Sequence, residues 1–204
     1  MARSFVWTVL ILLAAGCASA ANGPIDKGSL YLGGSFFFQS QGGDLYENSE
    51  GDGITVYGAG DLTPGIFFDF EVAPTIGYFI APGIFLGAQA AVFGISLGDE
   101  DGSIVAFGPT FGYYFNLDPT RTNPSGAVYP YLQGFVNYGH ADLFLDADIW
   151  QYGGKGGMLY MLSSAVGADA AVLFQKDSWT IDDVDESITG TTISIGVGIT
   201  AFIY

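Results

Sequence analysis

The sequence predicts an eight-stranded antiparallel β-barrel that closes on itself and crosses a membrane. Three observations carry that reading. Eight stretches have strand chemistry, and several alternate with period two. Along those stretches the large apolar residues fall on one face, while Gly, Ser, Thr, Gln and Asn fall on the other. Half the chain is hydrophobic and only 13% is charged, whereas a soluble domain carries about 25% charge.

The elements follow in order. Arg3, the apolar run 5–15 and the small-x-small site Ala18-Ser19-Ala20 read as a secretory signal peptide over residues 1–20. The run is shorter than the roughly 20 residues that a spanning helix needs. A competing reading is lipidation at Cys17, because Leu13-Ala14-Ala15-Gly16-Cys17 resembles a lipobox. Cys17 is the only cysteine, so cleavage after Ala20 leaves neither disulfide nor thiol nucleophile. Residues 21–204 then form one domain, without a linker or composition break.

Strands are expected near 28–40, 65–80, 83–97, 103–116, 128–145, 157–167, 170–181 and 190–204. In the second, Phe68, Phe70, Val72, Ile76 and Tyr78 oppose Asp69, Glu71, Thr75 and Gly77. Residues 76–98 are apolar enough for a membrane helix, but Pro82-Gly83 and four further glycines favour a hairpin turning at Ala81-Pro82-Gly83. The fourth strand sets Val105, Phe107, Phe111, Tyr113 and Phe115 against Ala106, Gly108, Thr110, Gly112 and Tyr114. In the fifth, Leu132, Val136 and Tyr138 oppose Gln133 and Asn137. The sixth and seventh alternate poorly. The eighth is the cleanest: Ile193, Ile195, Val197, Ile199, Ala201 and Ile203 form one stripe, opposite Ser194, Gly196, Gly198, Thr200, Phe202 and Tyr204.

Connections are expected as tight turns at Ala81-Pro82-Gly83 and Gly167-Ala168-Asp169, a Pro-rich turn over 117–127, and polar loops at 41–64, 98–102, 146–156 and 182–189. Strands of 11–16 residues exceed the roughly 9–11 that cross a bilayer at a tilt. The apolar faces meet lipid, and small polar residues face a lumen that eight strands make only wide enough for side chains. Tyr31, Tyr78, Phe79, Tyr113, Phe115, Tyr129, Tyr131, Phe202 and Tyr204 fall at one end of the strands and read as an interfacial girdle. A soluble sandwich or lipocalin-like barrel would instead need bulky apolar residues on its inner face, and the small polar set cannot fill such a core.

The stretches APTIGYFIAPGIFLGAQAAVF (73–93), FGPTFGYYF (107–115), VYPYLQGFVNYG (128–139) and ISIGVGITAFIY (193–204) resemble the small bacterial outer-membrane β-barrel proteins. The resemblance covers nearly all of 28–204. It implies eight strands, a location in the bacterial outer membrane among lipid and lipopolysaccharide, and a terminal aromatic, Tyr204, read by the barrel-assembly machinery. Gly198 and Thr200 depart from the bulky apolar residues that signal usually carries.

Chemistry is sparse. His140 is the sole histidine, and Asp142 stands where a His-x-Ser lipid deacylase motif would need serine. Gly58-Ala59-Gly60 has Thr63 at the third glycine position of a dinucleotide fingerprint, and Gly153–Gly157 has no Ser or Thr after Lys155, so neither is a phosphate motif. No enzymatic role and no cofactor follow. With 21 acidic against 5 basic residues, the chain has no basic patch for nucleic acid.

Most acids fall at the end away from the termini, including Asp99, Glu100, Asp101, Asp182, Asp183, Asp185 and Glu186. These are candidate ligands for divalent cations bridging to lipopolysaccharide or a partner. The alternative is a solvated acidic surface, since no ordered calcium-loop spacing is present. The lumen is expected to hold Asp69, Glu71, Gln89, Gln133, Asn137 and Lys176, with Lys176 reaching one of the two acids or else water filling the lumen beside them as a cation path. Trp150 and Tyr152 are expected as exposed contact residues in the 146–156 loop. The leading functional expectation is a structural or surface-interaction barrel acting through its acidic loops. A narrow channel or carrier for small or apolar molecules is the alternative, and a lipid-modifying enzyme is third.

Overall fold

The computed structural model describes the backbone of residues 22–42, 55–56, 67–97, 100–142, 146–181 and 186–204, with side chains described over most of these. Nine strands are present among them: β1 (Leu30–Gly42), β2 (Thr55–Val56), β3 (Phe67–Ala81), β4 (Ile84–Leu97), β5 (Glu100–Tyr114), β6 (Val128–Asp142), β7 (Asp146–Met161), β8 (Val166–Ile181) and β9 (Glu186–Ile203). Strands β1 and β3 to β9 pair antiparallel with their sequence neighbours, and β9 returns to β1. Leu30 lies opposite Ile203 and Gly42 opposite Thr191, so closure runs the full length of β1. The sheet is an eight-stranded barrel without an edge. The two-residue β2 adds a short ladder to the far end of β1, where Ser40 faces Val56.

Alternation decides which way each side chain points. Along β9, Ile193, Ile195, Val197, Ile199 and Ile203 are exposed, whereas Thr192, Ser194, Gly196, Thr200 and Phe202 are buried. On β5, Val105, Phe107, Phe111 and Tyr113 are exposed, with Ala106, Thr110 and Tyr114 buried. The outer surface is thus an apolar belt, with Ile199 66% and Phe107 65% exposed. Water would make such a belt strongly unfavourable, so its solvent is hydrocarbon.

The chain departs from the sequence expectation in several places. The strands are longer and the far loops shorter. Residues 100–102, 146–156 and 186–189 are strand, not loop, so the barrel extends where acidic loops were expected. The second tight turn falls at 162–165, where Leu162 and Ser163 both donate backbone N–H to the Val166 carbonyl. Gly167, Ala168 and Asp169 are therefore inside β8. The first turn is placed as expected: Gly83, at φ 76°, takes the left-handed conformation that glycine adopts without steric cost.

Residues 22–29 fold beneath the mouth at the terminal end. Gly28 N–H donates to Phe79, Phe79 N–H to Ser29, and Gly83 N–H to the Ile25 carbonyl at 2.8 Å. Ile25 is buried there among aromatic side chains.

Candidate functional site

Among the described residues the barrel interior gathers polar and charged side chains out of water, and it has two parts. At the terminal end it is filled with rings. Tyr31, Phe79, Phe85, Tyr114, Tyr129, Tyr131 and Phe202 share one buried cluster with Ile25, Leu159 and Met161. Tyr31 meets Phe85 edge-on at 4.9 Å, Phe79 meets Tyr114 at 5.4 Å, and Tyr114 stacks on Tyr131 at 4.9 Å. These are the separations at which ring quadrupoles attract. The inner wall makes room by carrying glycine. A Cβ on Gly77 would run into the Phe85 ring, and one on Gly87 would lie 2.8 Å from it. Phe79, Phe85 and Met161 have no measurable exposure, so side chains fill the lumen at this end.

This corrects the expected girdle. Tyr31, Phe79, Tyr129, Tyr131 and Phe202 point inward and form a plug, because they occupy the same parity as Thr75, Gln133 and Thr200. Tyr113, Phe115 and Tyr204 are exposed, Tyr78 is half-buried, and these four remain in the outward set.

Beyond the plug the lumen turns polar. The Tyr131 hydroxyl donates to the Asp169 carboxylate at 2.9 Å, and the Thr200 hydroxyl to that of Tyr31 at 3.2 Å. Gln133 bonds Thr110 through their side chains at 2.5 Å. Farther along, Asp177 collects Gln151 Nε2 at 2.9 Å, Gln175 Nε2 at 2.8 Å and the Thr192 hydroxyl at 3.3 Å. An ionised carboxylate only accepts, so it fixes the orientation of both amides. Asn137 Nδ2 in turn donates to Gln151 Oε1 at 3.5 Å. Among the described residues Gln133 Oε1, Asn137 Oδ1, Asp169 Oδ1 and Gln175 Oε1 are buried acceptors without a partner, as is the Ser194 hydroxyl. Lys155 is buried in the same lumen, within electrostatic reach of Asp169.

The expected lumen residues divide accordingly. Gln89, Gln133 and Asn137 are buried and inward-facing. Asp69 and Glu71 lie on β3, but their side chains are outside the described residues. Lys176 is not a lumen residue. It is half-buried on the outward parity of β8, opposite the exposed Tyr152, between the inward Gln175 and Asp177. The inward lysine is Lys155, which the sequence reading placed in a loop. Trp150 and Tyr152 sit on the outward face of β7, not in a loop, with the Trp150 ring 5.1 Å from Tyr138. Their exposure stands, and their strand position makes them part of the belt at the far end.

Of the cation candidates, Asp99, Asp182, Asp183 and Asp185 lie outside the described residues, and Glu100, Asp101 and Glu186 lie on strands with undescribed side chains. Among the described residues no group of three or more His, Cys, Asp or Glu side chains is placed to hold a metal ion. His140 Nδ1 lies 3.1 Å from Asp148 Oδ1, both exposed, and Tyr138 also donates to Asp148 at 2.7 Å. This is an ion-pair geometry in solvent. The signal-peptide stretch lies outside the described residues.

Sequence reasoning missed Lys155, Asp169 and Asp177 as lumen groups. Register supplies the signal it lacked: Lys155 pairs with Gln133, and Asp177 with Gln151, both inward.

No family profile matches the sequence, and no curated protein matches it. Solved structures do match in shape. Neisserial surface protein A (NspA) is 17% identical, covers 86% of this chain and 99% of its own, and superposes with a TM-score of 0.51. The outer membrane protein OprG from Pseudomonas aeruginosa is 18% identical over 91% of this chain and all of its own, at a TM-score of 0.47. Ail, the attachment invasion locus protein of Yersinia pestis, is 11% identical over 85% of this chain and 99% of its own, at 0.41. With its closed antiparallel sheet, its apolar belt and the shape it shares with NspA, the chain has the fold of the small eight-stranded outer-membrane β-barrels.

Proposed function

We propose that this protein is a sealed outer-membrane barrel that works by presenting its acidic far end at the cell surface, without enzymatic activity. The aromatic plug carries the reading. Phe79 and Phe85, without measurable exposure, occupy the lumen at the terminal end, and this filling is what supports a sealed barrel over a channel. The acids that the sequence concentrates in and beside 41–64, 98–101 and 182–186 give the opposite end its charge. Eight-stranded barrels of this kind place their termini in the periplasm, which turns the acidic end outward. Lipopolysaccharide phosphates bridged by divalent cations are the partner chemistry that such a rim suits. In this reading the C-terminal strand ending in Tyr204 delivers the chain to the assembly machinery.

A second reading is a narrow channel, favoured by the polar stretch around Asp169, Lys155 and Asp177. It requires the plug to open.

The display half of the proposal is tested on intact cells. After signal removal the chain has no cysteine, so Ser49→Cys and Thr122→Cys report the two ends separately. A membrane-impermeant maleimide should label the first on intact cells and the second only after lysis. Labelling of Thr122→Cys on intact cells would reverse the orientation and overturn the reading.

A further inference from the structure

At the terminal mouth, beneath the plug, the 115–127 loop and residues 22–26 enclose a polar pocket of about 300 Å³. Its construction is specific. Arg121 donates Nε–H to the Asn123 carbonyl at 2.8 Å and Nη2–H to the Ser125 carbonyl at 2.6 Å. Those bonds fix the guanidinium plane and leave three of its five N–H donors free to meet a ligand. Gly126, at φ 77°, leaves space beneath: a Cβ there would lie 3.1 Å from Nη2. The loop that carries Arg121 is pinned by its own side chains, Thr120 donating its hydroxyl to Asp118 at 2.7 Å and Ser125 its N–H to Asn123 Oδ1 at 3.0 Å.

Asp26 lines the pocket from the other strand-flanking segment, and Tyr129 from β6. Arg121 and Asp26 both lie within electrostatic reach of the Tyr129 hydroxyl. Yet neither charge is in an ion pair among the described residues, and the Tyr129 hydroxyl makes no hydrogen bond there. A fixed cation, a carboxylate and an unused hydroxyl thus share one small pocket. Held apart, they match a ligand that carries both signs.

We propose that this pocket binds a small zwitterion, its carboxylate on Arg121 and its ammonium on Asp26 and Tyr129. The volume suits a free amino acid or the end of a short peptide. Both walls are partly exposed, so affinity is in the range of about 1 mM, near −4 kcal/mol.

The test uses the full mature chain in detergent micelles, followed by amide NMR. L-alanine and the dipeptide Ala-Ala should each shift signals of residues 22–26 and 119–126 in a saturable manner. Acetate and ethylammonium should bind at least tenfold more weakly. Arg121→Gln and Asp26→Asn lie outside the barrel wall, and heat-modifiable gel mobility verifies that both fold. Each should weaken alanine binding at least tenfold. Saturation by alanine but not Ala-Ala would assign the site to free amino acids, and the reverse to peptide ends. Overturning results are the absence of any saturable shift, or equal binding of alanine and acetate with Asp26→Asn unchanged.

Discussion

The two halves of the lumen are built on the same strands with the same alternation, yet they are filled differently. At the terminal end the inward positions carry Tyr31, Phe79, Phe85, Tyr114 and Phe202, packed ring against ring over glycines. A few residues farther along, those positions carry Thr110, Gln133, Gln151, Gln175 and Asp177, joined by hydrogen bonds. The first half excludes water and gains apolar burial. The second is held by directional bonds whose worth depends on every partner being present. Barrel closure therefore does not dictate how the interior is filled, and the filling decides whether the barrel is a pore.

The comparison can be broken at its strongest point first. Phe85→Ala removes a fully buried ring that touches Tyr31, Phe79 and Tyr114. It should cost about 3–5 kcal/mol in urea unfolding from lipid vesicles. Stability unchanged within error would mean that the rings are not packed as a plug. Next in size is the outward control, Ile199→Arg, which places a charge on the lipid face and should cost about 2–4 kcal/mol if near the midplane. A neutral result there would reverse the assignment of inside and outside. The polar half should respond less. Asp177→Ala strands two amide N–H groups and a hydroxyl, at about 1–3 kcal/mol, while Asp177→Asn keeps an acceptor and should cost less than Ala. Equal costs for the two would show that the network is hydrated and not closed on the carboxylate.

Much of the fold was legible because most of the wall obeys period two. Strands β3, β4, β5, β6 and β9 keep bulky apolar residues outward, and their positions were read to within a few residues. β7 and β8 were not, and the physical reason is visible in their faces. The outward side of β7 carries Gly154 and Gly156 while its inward side carries Leu159 and Met161. β8 puts Lys176 outward and Leu173 inward. Hydropathy alternation fails there, and a glycine run reads as a loop although both neighbouring strands pair with it. That error hid Lys155, displaced the turn to 167–169, and left Asp169 outside the lumen. The plug was missed for a different reason. Girdle and plug both need aromatics at one strand end, and only parity separates Phe79 from Tyr78 or Tyr114 from Tyr113.

In the proposed reading the lumen is sealed by its own side chains. Single-channel recording in planar bilayers tests it directly, with the unmodified protein beside a Phe79→Ala/Phe85→Ala variant that opens the plug. The expected result is a flat trace for the unmodified barrel and discrete openings for the variant, whose lumen is then lined by Lys155, Asp169 and Asp177. A steady current through the unmodified protein, of the same size as the variant's, would contradict it.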